Sequence, residues 1–425
     1  MNSRFTVTLL VLLQLLPLLL FGVDENIISI RGRVSDSNSG RAMAFATIAL
    51  KGSSVAIVAN NEGIFTLKLP KKNINDTIVV SFLGYKSNYI PISALYGNLN
   101  QIELSPTSLL LDPALVIPQE PLAIIKMALS KIKENYGGEW LQMSSFYRET
   151  VQKKERYISI NEALLSINKA PYNTFRNDRV ALYKGRGNHS ASRSDTIIVK
   201  LQGGPLSALQ IDVVKEPFLW VDSREIEFFY QFSMGEPATI DDKLFYRIDF
   251  LPLPHIKEIL FKGTLFIDPH SFAIGRIQFS MNVERRKDAT NIFIVKSPPG
   301  VKFEILGANY VVNYRKSNLE QYRADREHNY GNWHFDYSKS ELQFSVKWPK
   351  RWFSSSYTIK TEMAVTDLSK TLNPIASSQT IKAKDIISYR VEDYLDPNFW
   401  GNYNSIEPEA PIERIIEKIA KSLRK

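Results

Sequence analysis

Ile28-Ser-Ile30-Arg-Gly32-Arg-Val34, Ala44-Phe-Ala46-Thr-Ile48-Ala-Leu50, Asn60-Asn-Glu-Gly63-Ile-Phe65-Thr-Leu67 and Thr77-Ile-Val79-Val-Ser81-Phe-Leu-Gly84-Tyr85 are four short runs in which apolar residues tend to alternate with others. A period of two turns one side of each run inward and the other toward solvent, the pattern of a half-buried strand. Turn signals stand between them: Asp36-Ser-Asn-Ser-Gly40 after the first run and Asn60-Asn-Glu-Gly63 ahead of Ile64. Glycine takes a positive φ without steric cost, which suits tight reversals. Residues 27–104 therefore predict a small β-sandwich.

This unit stands directly behind a leader. Residues 1–23 hold one charge, Arg4, followed by an apolar stretch from Phe5 to Val23 that is broken only by Gln14 and Pro17. The pattern is that of a secretory signal peptide, with Gly22 as the small residue near the cut. A stretch of this length also nearly spans a bilayer, so an uncleaved anchor is the competing reading. The acidic stop at Asp24-Glu25, with a strand following at once, favours cleavage. Either way the expected location is outside the cytoplasm. The 425 residues contain no cysteine, which excludes disulfides, thiolate metal sites, cysteine nucleophiles and a lipid-modified N-terminal cysteine. Stability then rests on core size, and a chain of this length has room for two or three domains.

The order of strands and turns in residues 27–104, with the Gly84-Tyr85 step after an apolar strand, resembles the carboxypeptidase regulatory-like domain, a transthyretin-like β-sandwich frequent at the front of Bacteroidetes envelope proteins. In that family the second turn usually carries an aspartate three residues before the glycine. Asn60 stands there in this chain and can make the same side-chain-to-backbone bond. The resemblance covers about 78 of 425 residues and implies a compartment and an architecture, not a reaction. The same domain begins many TonB-dependent transporters, which implies placement at the periplasmic side of the outer membrane.

Beyond it, Pro106, Pro113 and Pro118 make residues 105–120 an extended linker. A helix is expected from Pro121 to a stop at Gly137-Gly138, with Leu122, Ile125, Leu129 and Ile132 on one face. Residues 121–397 read as a β-rich domain behind that helix. Its Leu244–Phe250 strand, followed by Gly263-Thr-Leu265-Phe-Ile267-Asp268 and Phe272-Ala-Ile274-Gly-Arg276, resembles the curved antiparallel sheet of periplasmic lipoprotein-carrier and sigma-regulator domains. Trp333, Phe335 and Tyr337 alternate as one buried strand face, and Leu342, Phe344, Val346 and Trp348 repeat the pattern. Residues 398–425 end in an amphipathic helix from about Pro411, with Ile412, Ile415, Ile416, Ile419 and Leu423 on its apolar side. The expected fold class is mainly β: a transthyretin-like sandwich, then a larger curved antiparallel domain with flanking helices. The terminal basic helix and the irregular strand spacing argue against a membrane barrel.

Chemistry is sparsely signalled. Without the leader there are 52 basic and 44 acidic residues, and Lys153-Lys154, Arg285-Arg286-Lys287 and Lys350-Arg351 are scattered clusters rather than a stripe, so nucleic acid is not the expected partner. His255-Ile-Lys-Glu258 has the spacing of a zinc carboxypeptidase motif but falls in a hairpin loop, where neither ligand is preorganised. His328 and His334, with Asp325, Glu327 and Asp336, are the densest ligand-type group, and their six-residue spacing matches no recurrent metal site. Asp241-Asp242 reads as a solvated turn. Trp348, Trp352 and Phe353, around Pro349-Lys350-Arg351, fit a single buried face poorly and are the expected contact surface for a partner or ligand. The expectation is a non-catalytic scaffold or binding protein without a cofactor, contacting an outer-membrane or periplasmic protein or a glycan. The alternative class is an envelope hydrolase, a metal-dependent peptidase or glycosidase.

Overall fold

The computed structural model describes residues 26–95, 97, 99–107, 120–189, 204–215, 221–222, 224–283, 286–293, 299–316, 333–369, 372–382, 385, 387, 390–392, 394, 396 and 398–423. The leader, most of the linker and His328 lie outside them. Seven strands build the first unit: β1 (Ile27–Asp36), β2 (Thr47–Leu50), β3 (Ala56–Val58), β4 (Ile64–Pro70), β5 (Thr77–Ser81), β6 (Asn88–Pro91) and β7 (Asn100–Leu104). They form two sheets, β4-β1-β7 and β3-β2-β5-β6. Alternation works as expected: Phe65, Leu67 and Leu69 of β4 point inward and meet Ile30, Val34, Ile48, Ile78 and Val80 in one core. The turn before β4 is closed by Asn60, whose Oδ1 accepts from the Glu62 and Ile64 N–H groups at 3.0 and 2.9 Å. Gly63 follows with φ +76°, and a Cβ there would meet the Val34 carbonyl oxygen at 2.4 Å.

The second unit is a single antiparallel sheet. Its strands are β8 (Leu141–Lys153), β9 (Arg156–Lys169), β10 (Arg179–His189), β11 (Tyr230–Met234), β12 (Ala238–Ile240), β13 (Lys243–Pro252), β14 (Phe261–Ile267), β15 (Ile274–Met281), β16 (Lys302–Lys316), β17 (Trp333–Lys347) and β18 (Ser355–Ser369). Their order is β10-β9-β8-β18-β17-β16-β15-β14-β13-β11, and β12 pairs with β13. The first strand, β8, therefore lies against the last, β18, in the interior of the sheet. Helices α1 (Pro121–Ser130), α2 (Ile132–Asn135), α3 (Pro205–Gln210) and α4 (Arg286–Phe293) join it in chain order. Ile124, Ile125 and Ala128 of α1, Ala208 and Leu209 of α3 and Ala289 of α4 complete a core with Met143, Tyr147, Ile167, Phe250, Ile277, Phe335 and Phe344 of the sheet. The opposite face carries the sandwich and the C-terminal segment. No helix among the described residues is long and apolar enough to cross a membrane.

Three expectations need correction. The helix begun at Pro121 ends at Ser130 rather than running on to Gly137: Lys131 leaves helical geometry, and a short α2 follows. The break lets Asn135 Nδ2 donate to the Ser271 carbonyl at 2.8 Å and the Tyr136 hydroxyl donate to the Ile274 carbonyl at 2.5 Å, tying the helix end to the start of β15. Trp333, Phe335 and Tyr337 do not share a face. The register shifts between Asn313 and Tyr314, which pair with Tyr337 and Phe335, so Asp336 is an extra residue in β17. That bulge turns Tyr337 to the sandwich-covered face, while Trp333 and Phe335 stay in the helix-covered core. Asp241-Asp242 forms the two-residue reversal between β12 and β13, both at positive φ, but it does more than meet solvent. Asp242 accepts from the Ser87 N–H at 2.7 Å and the Tyr89 hydroxyl at 3.2 Å, so the turn holds the sandwich.

Candidate functional site

The β17–β18 connection carries the aromatic residues singled out by sequence. Trp352 is 91% and Phe353 86% exposed, whereas Trp348 is half-buried against the helix-covered core. The indole N–H of Trp348 is enclosed without an acceptor. Two large apolar side chains this open are unusual at one loop. Lys350, at a positive φ of 62°, turns the chain between Trp348 and Trp352.

Strand pairing gives this tip a charged surround. Tyr357 of β18 lies opposite Lys153, which brings in the β8–β9 turn with Lys154 and Arg156. Lys347 lies opposite Lys302 at the start of β16. Lys153, Lys154, Arg156, Lys302, Lys347, Lys350 and Arg351 thus gather at one end of the sheet, with Glu155 and Glu304 as the acidic residues among them. Two of the basic clusters that look scattered in the sequence are neighbours in space. Chain order hides this, because the meeting depends on β8 pairing with β18 across about 200 residues.

The interior is rich in ionisable groups that hold one another. On the sandwich-covered face, Glu162 is fully buried and bridges Arg148 at 2.6 Å and Arg186 at 2.8 Å. Burial alone would raise its carboxyl, but the two guanidinium groups outweigh that and hold it below the usual range. Arg148 also donates to the Ile406 carbonyl at 2.7 Å, and Arg186 lies 4.9 Å from the Trp400 ring. On the other face, the buried Lys169 contacts Asp178 and Asp212, each at 2.7 Å. The Tyr314 and Tyr172 hydroxyls donate to the same Asp212 at 2.7 and 3.0 Å. Burial would lower the Lys169 ammonium, yet its two carboxylates keep it above its ordinary value. Glu149 differs. It accepts from the Tyr147 hydroxyl at 2.9 Å and the Gly204 N–H at 2.8 Å, and burial pushes its carboxyl up.

A crevice of about 50 Å³ separates the sandwich from the sheet. Phe45, Thr47, Ser81 and Phe82 wall it on one side, and Asp241, Arg276, Asn313 and Arg315 on the other. Arg315 bridges to Asp336 at 2.8 Å and donates to the Ser54 carbonyl at 2.9 Å, joining the units. Asp241 is exposed on its turn, and partial desolvation at the crevice pushes its carboxyl up. The histidine readings resolve differently. His255 and Glu258 are exposed on the β13–β14 connection, and His334 is buried in β17 opposite Arg315. Among the described residues no group of three or more His, Cys, Asp or Glu could hold a metal ion.

Residues 30–116 match the carboxypeptidase regulatory-like domain family. The first unit is a carboxypeptidase regulatory-like domain. The match takes in the carboxypeptidase regulatory-like sandwich and runs on into the linker, and it leaves the larger sheet unassigned. No curated protein matches the chain. Similar solved structures include a LolA superfamily protein from Nitrosomonas europaea, 9% identical, covering 61% of this chain and 96% of its own, with a TM-score of 0.21. MucB is 10% identical and covers 57% of this chain and 93% of its own at a TM-score of 0.18. The Pseudomonas aeruginosa MucA/MucB complex is 7% identical over similar shares, at a TM-score of 0.17. TM-scores this low bear neither on fold nor on function.

Proposed function

We propose that the protein is a non-catalytic scaffold or binding protein of the cell envelope, at the periplasmic side of the outer membrane, that contacts an envelope protein or a glycan through Trp352 and Phe353. The observation that carries this reading is the convergence of two open aromatic side chains with a basic rim drawn from three separate connections. Flat apolar rings stack on sugar faces or fill a partner's groove, and the surrounding cations favour an acidic counterpart. The carboxypeptidase regulatory-like domain and the apolar leader support the compartment. The non-catalytic reading rests on the interior carboxylates Glu162, Asp212 and Asp336, each committed to a cation or tyrosine.

The test is crosslinked pull-down from detergent-solubilised envelopes, with the whole chain compared with Trp352→Ala/Phe353→Ala. Both side chains are solvent-facing, so the double variant is expected to fold with a stability change within about 0.5 kcal/mol per site. A discrete envelope protein or glycan captured by the parent and lost in the variant is the expected result. Capture unaffected by the double substitution, or no capture by either protein, would overturn the reading.

A further inference from the structure

Five cationic side chains in the interior or at the boundary between the units invite comparison. Arg148, Arg186, Lys169 and Arg315 each hold a carboxylate at 2.6–2.8 Å. Arg276 of β15 does not: among the described residues its guanidinium has no carboxylate at ion-pair distance, and its partner is a neutral amide. Gln278 Oε1, two residues along the same strand, accepts from Nε and Nη2 at 3.0 and 2.6 Å once the amide is oriented by its hydrogen bonds. A guanidinium has five N–H donors, so three are left over. Arg276 lines the crevice between the carboxypeptidase regulatory-like domain and the sheet.

Its neighbours add a second sign of an absent group. Asn313 lies directly opposite Arg276 in the β15–β16 ladder, and its Oδ1 is buried without a hydrogen-bond donor. Thr47 and Ser81 bring hydroxyl groups from the sandwich to the same crevice, and Phe45, Phe82 and Leu83 supply apolar wall. The negative groups of the crevice are otherwise engaged. Asp336 is bound to Arg315, and Asp241, an exposed turn residue whose carboxyl is pushed up by partial desolvation at the crevice, is approached by Ser81 and Arg315. Burial also brings Arg276 down to about 10, a desolvated cation without compensation. Arg276 is half-buried, and a cation partly withdrawn from water without a counter-charge is costly, a cost that a bound anion removes.

We propose that this crevice binds a small oxyanion, a carboxylate or phosphate group, on the free N–H donors of Arg276. The fork of a guanidinium matches two oxygens of either group, and the crevice has room for one such head. A protonated oxygen or a donor on the ligand would serve Asn313 Oδ1. Because the walls come from both units, occupancy fastens the sandwich to the sheet. The inference stands apart from the aromatic tip, and failure of one leaves the other standing.

The experiment is thermal unfolding and titration calorimetry of the whole chain with inorganic phosphate and with acetate, at constant ionic strength against chloride. A saturable rise in Tm and a binding heat with one probe are expected, because a ligand that binds only the folded state stabilises it. Phosphate without acetate assigns a phosphoryl group, and the reverse assigns a carboxylate. Arg276→Gln should weaken the binding by at least about thirtyfold. Without any anion, Arg276→Met should unfold no lower than the parent, since it removes an uncompensated charge. The inference is overturned if neither probe raises Tm, if Arg276→Gln responds as the parent does, or if Arg276→Met unfolds lower in chloride alone.

Discussion

Asp36 ends β1 and organises the turn behind it with both oxygens. Oδ1 accepts from the Ser39 N–H at 2.6 Å, the Ser39 hydroxyl at 2.8 Å and the Asn38 N–H at 3.0 Å, and Oδ2 accepts from the Tyr85 hydroxyl at 2.6 Å. The Tyr85 bond, then the Ser39 bonds, hold the carboxyl at about 2, below its ordinary 3.8. A depressed carboxylate contributes stability that is complete above its unfolded-state value and is lost as pH falls through its folded-state value. Here that window runs from 3.8 down to about 2. Tyr85→Phe should move the Asp36 titration upward toward 3.8, followed by carboxyl NMR. It should also shift acid unfolding to higher pH. An unmoved titration would mean that the Ser39 bonds suffice. The turn residues were legible locally, as was Asn60. The Asp36–Tyr85 bond was not, because 49 positions separate the partners and no periodicity links them. Phe45 is similar: its ring is stacked at 5.8 Å on Tyr337 while its backbone sits at φ 66°, a conformation of about 1–3 kcal/mol that the docking contact must offset.

Among the elements, β9 shows why alternation found strands but not their charged neighbours. Glu162 falls between Ile160 and Leu164 in the alternation of one strand face and is fully buried. A single sequence shows such a residue as a break in pattern, and its two partners arrive from β8 and β10, its neighbours in the sheet. Glu162→Gln leaves two buried guanidinium groups facing a neutral amide. The expected loss is about 3–5 kcal/mol, read by chemical denaturation. Glu155→Gln, on the exposed β8–β9 turn, is the control and should stay within about 0.5 kcal/mol. Equal losses in both would discard the buried triad as a stabilising device. The bulge at Asp336 marks the limit of the method at this scale. Period two placed Trp333, Phe335 and Tyr337 on one face, and one inserted residue sent Tyr337 to the other. For the candidate site, poor fit to a face singled out Trp348, Trp352 and Phe353 alike, and of these Trp352 and Phe353 are open while Trp348 is half-buried. The basic rim required the sheet order.

At the scale of the molecule, the two units and the C-terminal segment interlock. Val58 of the sandwich packs with Phe146, Tyr337, Phe399, Trp400 and Ile406, so one apolar cluster draws on all three. Polar contacts surround it: Ser54 Oγ donates to Asp367 at 2.5 Å, the Lys68 N–H to Asn404 at 2.7 Å, and the Gly84 N–H to the Thr239 carbonyl at 2.6 Å. Helix α5 (Ala410–Leu423) starts on the sandwich, where the Ala410 N–H donates to Glu62 at 3.0 Å, and it seats Ile412 against Ile160 and Tyr394. The docking place of this helix, open in the sequence, is therefore the β9 side of the sheet. Contacts of this kind make unfolding of one unit expose apolar surface of the other, so the parent should melt in a single calorimetric transition. Tyr337 is the side chain to remove. It is buried, stacks on Phe45 and belongs to the shared cluster, so Tyr337→Ala should cost about 3–5 kcal/mol. Its second effect is more diagnostic: with the boundary weakened, the sandwich should melt apart from the sheet and the transition should divide in two. A single transition shifted downward would instead show that Tyr337 stabilises the sheet alone. Two transitions already present in the parent would show that the units never unfold together.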